Sequence, residues 1–276
     1  MTNNIIIDGG YMYHRAKNIP FYRRMNIDGK PLGIAYGIMR TINKLKKMGY
    51  NKIDVAWEGT PYHRLKIAGD YKGDRQKSME HDKTDKEGRA IAKEFIGLYG
   101  IPQYYHPQYE ADDTIACLTK NYSTVDIYTA DKDLYQLITN KIRVLRPDTD
   151  EFANPVVEFG VKPADIPMFL ALIGDKVDGI VGCAGIGKKT ASKYINMGIS
   201  SLTERQRRII EDNAELIARN LKMIKLVDDF EPRLLEYKKD IDELKSKLES
   251  YGFLKHVEEL FDEDRMIETT FDDFIE

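Results

Sequence analysis

Ile5-Ile6-Ile7-Asp8-Gly9-Gly10 is a short apolar run halted by a carboxylate and two glycines, the pattern of a buried strand that ends in a loop. A second run, Ile53 through Val55 to Trp57, halts in the same way at Glu58-Gly59. Between them Ile34, Ile38, Ile42 and Leu45 recur at helical spacing, and Lys44, Lys46 and Lys47 precede Gly49 as at a helix C-terminus. The result is a strand-helix-strand unit whose strands are parallel, because the crossover is long enough for a helix. Val125 to Thr129 is a third run, leading into Ala130-Asp131-Lys132-Asp133, and Ile142 to Leu145 is a fourth; Ala111 to Lys120 reads as a helix. The expected fold is therefore α/β, a central, mostly parallel sheet flanked by helices. Acidic residues stand where three of the strands end, and in open α/β sheets that edge is where ligands bind.

From about Pro163 onward the patterns are mainly helical with glycine-containing breaks, and Leu234, Ile241, Leu244 and Leu248 suit one amphipathic helix packed on the body. The expected division is an α/β part over residues 1–160, including a basic segment over 70–100, a helical part over 161–262 and an acidic tail over 263–276. Of the 276 residues 32% are charged. No apolar run approaches the roughly 20 residues that span a bilayer, and no basic-then-apolar leader opens the chain, so a monomer in the cytoplasm without membrane contact is expected. Cys117 and Cys183 stand far apart without zinc-site spacing and read as buried thiols of a reducing compartment.

The carboxylates carry the chemistry. Asp8, Glu58, Asp131 and Asp133 fall on one edge of the sheet, and the helix start at Glu110, Asp112 and Asp113 can face that edge. Gly174-Asp175-Lys176-Val177-Asp178 offers two more, one helical turn apart. Each group alone has an ordinary reading as a turn or a helix start. Nine such charges gathered in one place would repel one another strongly unless cations were present, and hard oxygen ligands favour Mg²⁺, with Mn²⁺ as a substitute. A pair of such ions supports in-line phosphoryl displacement without any histidine, and the five histidines are scattered with no metal or triad spacing. The net charge of −3 does not exclude a polyanionic partner: setting the nine carboxylates aside leaves the rest of the chain at +6.

Asp8-Gly9, Tyr109-Glu110-Ala111-Asp112-Asp113, Thr129-Ala130-Asp131-Lys132-Asp133 and Gly174-Asp175-Lys176-Val177-Asp178 resemble the ordered acidic motifs of the flap endonuclease family. The flavour is that of the phage enzymes and of the 5′-nuclease domain of bacterial DNA polymerase I. The similarity runs in order from Ile5 to about Phe261, with Glu58 standing where many relatives carry Asp. The resemblance implies a PIN-like 5′-nuclease fold with a helical arch and a helix-hairpin-helix. It also implies two Mg²⁺ ions held by the nine carboxylates, and hydrolysis of DNA near a 5′ single-strand to duplex junction.

Within that resemblance Tyr71-Lys72-Gly73-Asp74-Arg75 matches the motif that enters the arch. Lys72 and Arg75 are expected to steady the scissile phosphate and Tyr71 to stack on a base. Lys83, Lys86, Arg89 and Lys93 recur every three or four residues, a basic helix face suited to a passing single strand. Gly88 is expected to interrupt that helix, with ordering over 76–95 on DNA binding. Gly182 to Ala191 resembles the family's hairpin: Gly185 and Gly187 for a tight turn, amides aimed at a phosphate, and Lys188 and Lys189 adding charge to hold duplex DNA without reading sequence. In relatives such a hairpin also holds K⁺ through carbonyls. The tail, with Phe271 and Phe274 among acidic residues, leaves open disorder or docking of a replication protein such as a sliding clamp. Two other readings stay open: a ribonuclease acting on RNA primers, of RNase H or PIN-like type, and a non-catalytic junction-binding protein.

Overall fold

The computed structural model describes residues 3–25, 29–69, 71–72 and 83–253. Arg75, the tail over 263–276 and much of the arch segment named above lie outside them. Six strands form one sheet in the order β5-β4-β1-β2-β3-β8: β1 Asn4–Asp8, β2 Lys52–Trp57, β3 Gln103–Tyr105, β4 Val125–Tyr128, β5 Ile142–Leu145 and β8 Arg233–Leu234. The first five are mutually parallel, and only β8 pairs antiparallel, against β3. The sequence therefore marked four strands correctly and missed β3 and β8, which are too short to show a period.

Both faces of the sheet are covered, as its near-continuous apolar strands require. Ile5, Ile7, Val55 and Trp57 pack into one core with the helices Gly9–Asn18, Leu32–Lys47, Lys83–Leu98 and Ile241–Ser250. Ile6, Ala56, Ile127 and Val144 point the other way, into a core shared with the helices Ala111–Thr119 and Ile166–Ile173. This alternation of successive side chains lets three isoleucines in a row all be fully buried. β1 is central, with β2 on one side and β4 on the other, so the order of strands reverses at β1. Asp8, its last residue, stands at that switch point.

Several local expectations are corrected. No loop follows Asp8: the helix Gly9–Asn18 begins at once, with Asp8 as its N-cap, its Oδ1 accepting from the Tyr11 amide at 2.9 Å. The helix Lys83–Leu98 runs unbroken through Gly88, which lies against the Tyr13 hydroxyl. Asp175 and Asp178 are not on a helix but flank the turn between two short antiparallel strands, β6 Gly174–Asp175 and β7 Ile180–Val181; Asp175 Oδ1 accepts from the amide of Val177, which closes the turn. Leu234 lies in β8, and the amphipathic helix starts only at Ile241, capped by the Asp240 carboxylate. Segments beyond residue 161 thus rejoin the sheet and its first core. Cys117 and Cys183 are free and buried, and among the described residues no helix is long and apolar enough to cross a membrane.

Candidate active site

A cleft of about 280 Å³ opens at the C-terminal ends of the parallel strands. Among the described residues seven of the nine expected carboxylates line it: Asp8, Glu58, Glu110, Asp112, Asp131, Asp175 and Asp178. They arrive by five routes. Asp8 ends β1, Glu58 follows β2, Glu110 and Asp112 sit at the start of the helix Ala111–Thr119, Asp131 follows β4 and Asp175 and Asp178 flank the hairpin turn. Register explains the closest of these neighbours: Ile7 pairs with Tyr128, so Thr129 lies beside Asp8 and its hydroxyl donates to Asp8 Oδ2 at 3.0 Å.

Asp133 stands just behind the cleft. Its amide donates to Asp131 Oδ1 at 2.9 Å, while its own Oδ1 is buried with no hydrogen-bond partner. Asp113 is not brought to the cleft. It is fully buried, its Oδ1 accepting from Arg64 Nη2 and the Val227 amide, both at 2.9 Å, and its Oδ2 from Arg64 Nη1 at 2.5 Å. With those lone pairs engaged, Asp113 serves as the counter-ion of a buried guanidinium.

The electrostatics follow from packing like charges out of water. Burial pushes the Asp8 carboxyl up to about 7, with the charges of Glu58 and Asp131 adding to the rise. Burial, together with Asp131 and Asp8, holds Asp112 well above the usual carboxylate range, and burial with Asp131, Asp178 and Asp175 does the same for Asp133. Asp178 is raised by burial despite Lys72 beside it.

Two internal cations relieve part of this. Lys72 Nζ lies 2.9 Å from Glu110 Oε1 and 3.1 Å from Asp178 Oδ1, on a backbone with φ of 52°. Burial works against its charge, but Glu110 and Asp178 outweigh that and raise its pKa. Arg89 Nη1 lies 3.0 Å from Glu58 Oε2, and the same guanidinium contacts Asp85, His14 Nε2 at 2.8 Å and the face of Tyr13.

These contacts change several residue roles expected from the sequence. Tyr71 is not placed to stack on a base: its ring is packed in the core at 4% exposure, with its hydroxyl toward Glu110 and Asp178. The basic helix face is divided. Lys86 is exposed, whereas Arg89 turns in to Glu58 and Lys93 lies over the Trp57 ring, its pKa lowered by burial and by Arg89. The side chain of Lys83 lies outside the described residues. Gly185 has the positive φ expected of a tight turn, at 92°, while Gly187 is extended and caps the helix Lys188–Met197, leaving Lys188 and Lys189 exposed on its first turn.

Two residues were missed. His14 lines the cleft and touches Arg89, although an isolated histidine in a helix gives no signal in the sequence. Arg64, 3% exposed, holds Asp113 with both terminal nitrogens, reaches Glu110 Oε2 at 2.9 Å and donates through Nε to the Met223 carbonyl at 2.7 Å. It therefore fixes the direction of Glu110 from behind.

Comparison with known proteins gives the family. Residues 3–161 match the model of the 5′-3′ exonuclease N-terminal, resolvase-like domain. A 5′-3′ exonuclease of Aquifex aeolicus is 34% identical over 256 residues, covering 84% of this chain and 88% of the relative. The thermostable DNA polymerase I of Thermus aquaticus is 32% identical over 203 residues, 69% of this chain but only 23% of the polymerase. Among solved structures, the bacteriophage T5 flap endonuclease in a pseudo-enzyme-product complex with DNA and metal ions superposes with a TM-score of 0.65 at 20% identity, covering 94% of this chain and 97% of the other. On the strength of the matched domain and of a relative aligned over most of its length, the chain belongs to the 5′-3′ exonuclease family of nucleases.

Proposed function

We propose that the protein is a structure-specific 5′-nuclease, a 5′ flap endonuclease and 5′-3′ exonuclease that hydrolyses DNA phosphodiesters and leaves a 5′-phosphate and a 3′-hydroxyl. The observation that carries this reading is the gathering of Asp8, Glu58, Glu110, Asp112, Asp131, Asp175 and Asp178 around one cleft at the sheet's switch point.

The cleft suits divalent cations. Its ligands are all hard oxygens, burial and neighbouring carboxylates hold the Asp8 and Asp112 carboxyls above their ordinary range, and Asp133 presents a buried oxygen without a partner. Among the described residues no three metal-ligating side chains are yet closed around a point, and Lys72 bridges Glu110 and Asp178 instead. Asp8, Asp112, Asp131, Asp133, Asp175 and Asp178, with Glu58 and Glu110, would hold a pair of Mg²⁺ ions, Mn²⁺ substituting. When bound, such ions activate water and stabilise the leaving oxygen of an in-line displacement. Lys72 supplies positive charge at the lip of the cleft where a scissile phosphate would lie, and Glu110 and Asp178 fix its direction. Arg64 and Asp113 keep Glu110 in place.

In the same reading residues 161–262 hold the duplex. The exposed Lys188 and Lys189, with the first-turn amides after Gly187 that no side chain caps, would face phosphates as one half of a helix-hairpin-helix, and the hairpin would hold K⁺. The reading carries with it a monomer in the reducing cytoplasm, RNA primers as further substrates and a replication protein met by the tail over 263–276.

Cleavage of a labelled 5′-flap DNA should rise with added Mg²⁺ and vanish with chelator. Faster cleavage of an RNA–DNA hybrid than of the flap would reassign the substrate, and junction binding without cleavage would remove the enzyme reading. Lys72→Ala should leave junction binding within about threefold while lowering single-turnover cleavage on the order of a hundredfold, the scale of one lost transition-state contact. Equal turnover by mutant and wild type would take Lys72 out of the chemistry.

A further inference from the structure

Gly9 and Gly10 open the same helix but meet different neighbours. A Cβ placed on Gly9 would lie 2.8 Å from the Ala56 carbonyl oxygen and from the Trp57 ring, so Gly9 lets the helix start flush against β2. A Cβ placed on Gly10 meets one residue: its three nearest heavy atoms are Oε1, Cδ and Cγ of Glu58, at 2.3, 2.8 and 3.4 Å. The Glu58 carboxylate thus lies over the bare backbone of the helix's first turn. It is tied from its other oxygen to Arg89 Nη1 at 3.0 Å, and it is close enough to Asp8 for its charge to be felt there.

We propose that Gly10 is a positioning residue for Glu58: the missing side chain at position 10 creates the space that seats a carboxylate of glutamate length in the cleft. The inference rests on the reading of the cleft as a divalent-ion site. Any side chain at 10 displaces Glu58 Oε1 by more than an ångström, because contacts near 2.3 Å lie far inside van der Waals range. The displaced carboxylate also leaves Arg89, which among the described residues keeps only His14 and the Tyr13 ring as its ties from the helix Lys83–Leu98 to the helix Gly9–Asn18. A carboxylate one methylene shorter loses the atom at 2.3 Å, and its oxygens extend no farther than about the present Cδ, so a Cβ at 10 crowds it less. A Cβ at 10 is therefore more harmful with glutamate at 58 than with aspartate.

The test is a double-mutant cycle of Gly10→Ala and Glu58→Asp on the full chain, reading Mn²⁺ affinity by calorimetry and the melting temperature of each variant. In the wild-type background Gly10→Ala should weaken Mn²⁺ binding about tenfold, the lower end of the effect of losing an orienting contact. In the Glu58→Asp background the same change should cost less than about twofold, the mark of a coupled pair. Equal losses in both backgrounds, or no loss in the wild type, would overturn the pairing. Should Gly10→Ala prevent folding, Glu58→Asp must restore it, since it withdraws the atom in closest contact, and an unfolded double variant rejects the idea. Failure of the wild-type protein to bind Mn²⁺ would instead remove the metal reading of the cleft itself.

Discussion

Replacing Asp113 by Ala should lower the unfolding free energy by about 3–5 kcal/mol, the cost of stripping a buried cation of its main partner. Replacing its neighbour Asp112 by Asn should leave the metal-free fold intact or firmer, yet reduce cleavage on the order of a thousandfold. The two adjacent carboxylates differ in what surrounds them. Asp113 accepts from Arg64 twice and from the Val227 amide, so its charge is satisfied and structural. Asp112 lines the cleft, where burial, Asp131 and Asp8 hold its carboxyl well above the usual carboxylate range, so a neutral amide there spares the metal-free fold a buried charge while removing an oxygen ligand. Urea denaturation in chelator and single-turnover cleavage of a 5′ flap measure the two effects. Equal destabilisation by both substitutions would contradict this division of roles.

In chelator the protein should melt at a lower temperature at pH 8 than at pH 5, and Mg²⁺ at pH 8 should restore what is lost. The folded Asp8 carboxyl titrates at about 7 against an ordinary 3.8. Between those values the folded state binds a proton that the unfolded state does not, so stability is present in full below the unfolded pKa and falls as pH rises through the window. Between pH 5 and pH 8 the loss amounts to roughly 3 kcal/mol for Asp8. Asp112 and Asp133 are raised in the same direction and deepen the loss. For a chain of this size the drop in melting temperature is on the order of 10 °C. A melting temperature that is flat across this range in chelator would show that burial does not hold the cleft carboxyls above their ordinary range.

The strand ends were legible because β1, β2 and β4 are buried on both faces, so each reads as an apolar run stopped by the first residue that reaches the ligand-binding edge. That is why Asp8, Glu58 and Asp131 could be placed together from the sequence. What could not be read was set by tertiary contacts. Asp112 and Asp113 are identical letters one position apart, and only the location of Arg64 decides which faces the cleft. Arg89 and Lys93 carry the spacing of a solvated basic stripe. The helix Gly9–Asn18 and the end of β2 turn that stripe inward, a choice the periodicity of one helix does not contain. The Asp175 to Asp178 spacing fits a helical turn and a tight hairpin equally well; Gly174 and Gly179, both at positive φ, favour the hairpin.

Arg64 has a consequence for dissecting the molecule. Its Nε bond ends on the carbonyl of Met223, and Asp113 takes a further donor from Val227, both far downstream of residue 161, where the matched domain stops. A fragment cut at that boundary would keep every cleft carboxylate except Asp175 and Asp178 but lose the backbone that aims the guanidinium steering Glu110. The part that carries most of the cleft carboxylates therefore borrows part of its alignment from the part that follows, and recombining the two pieces in trans should recover more than either contains alone.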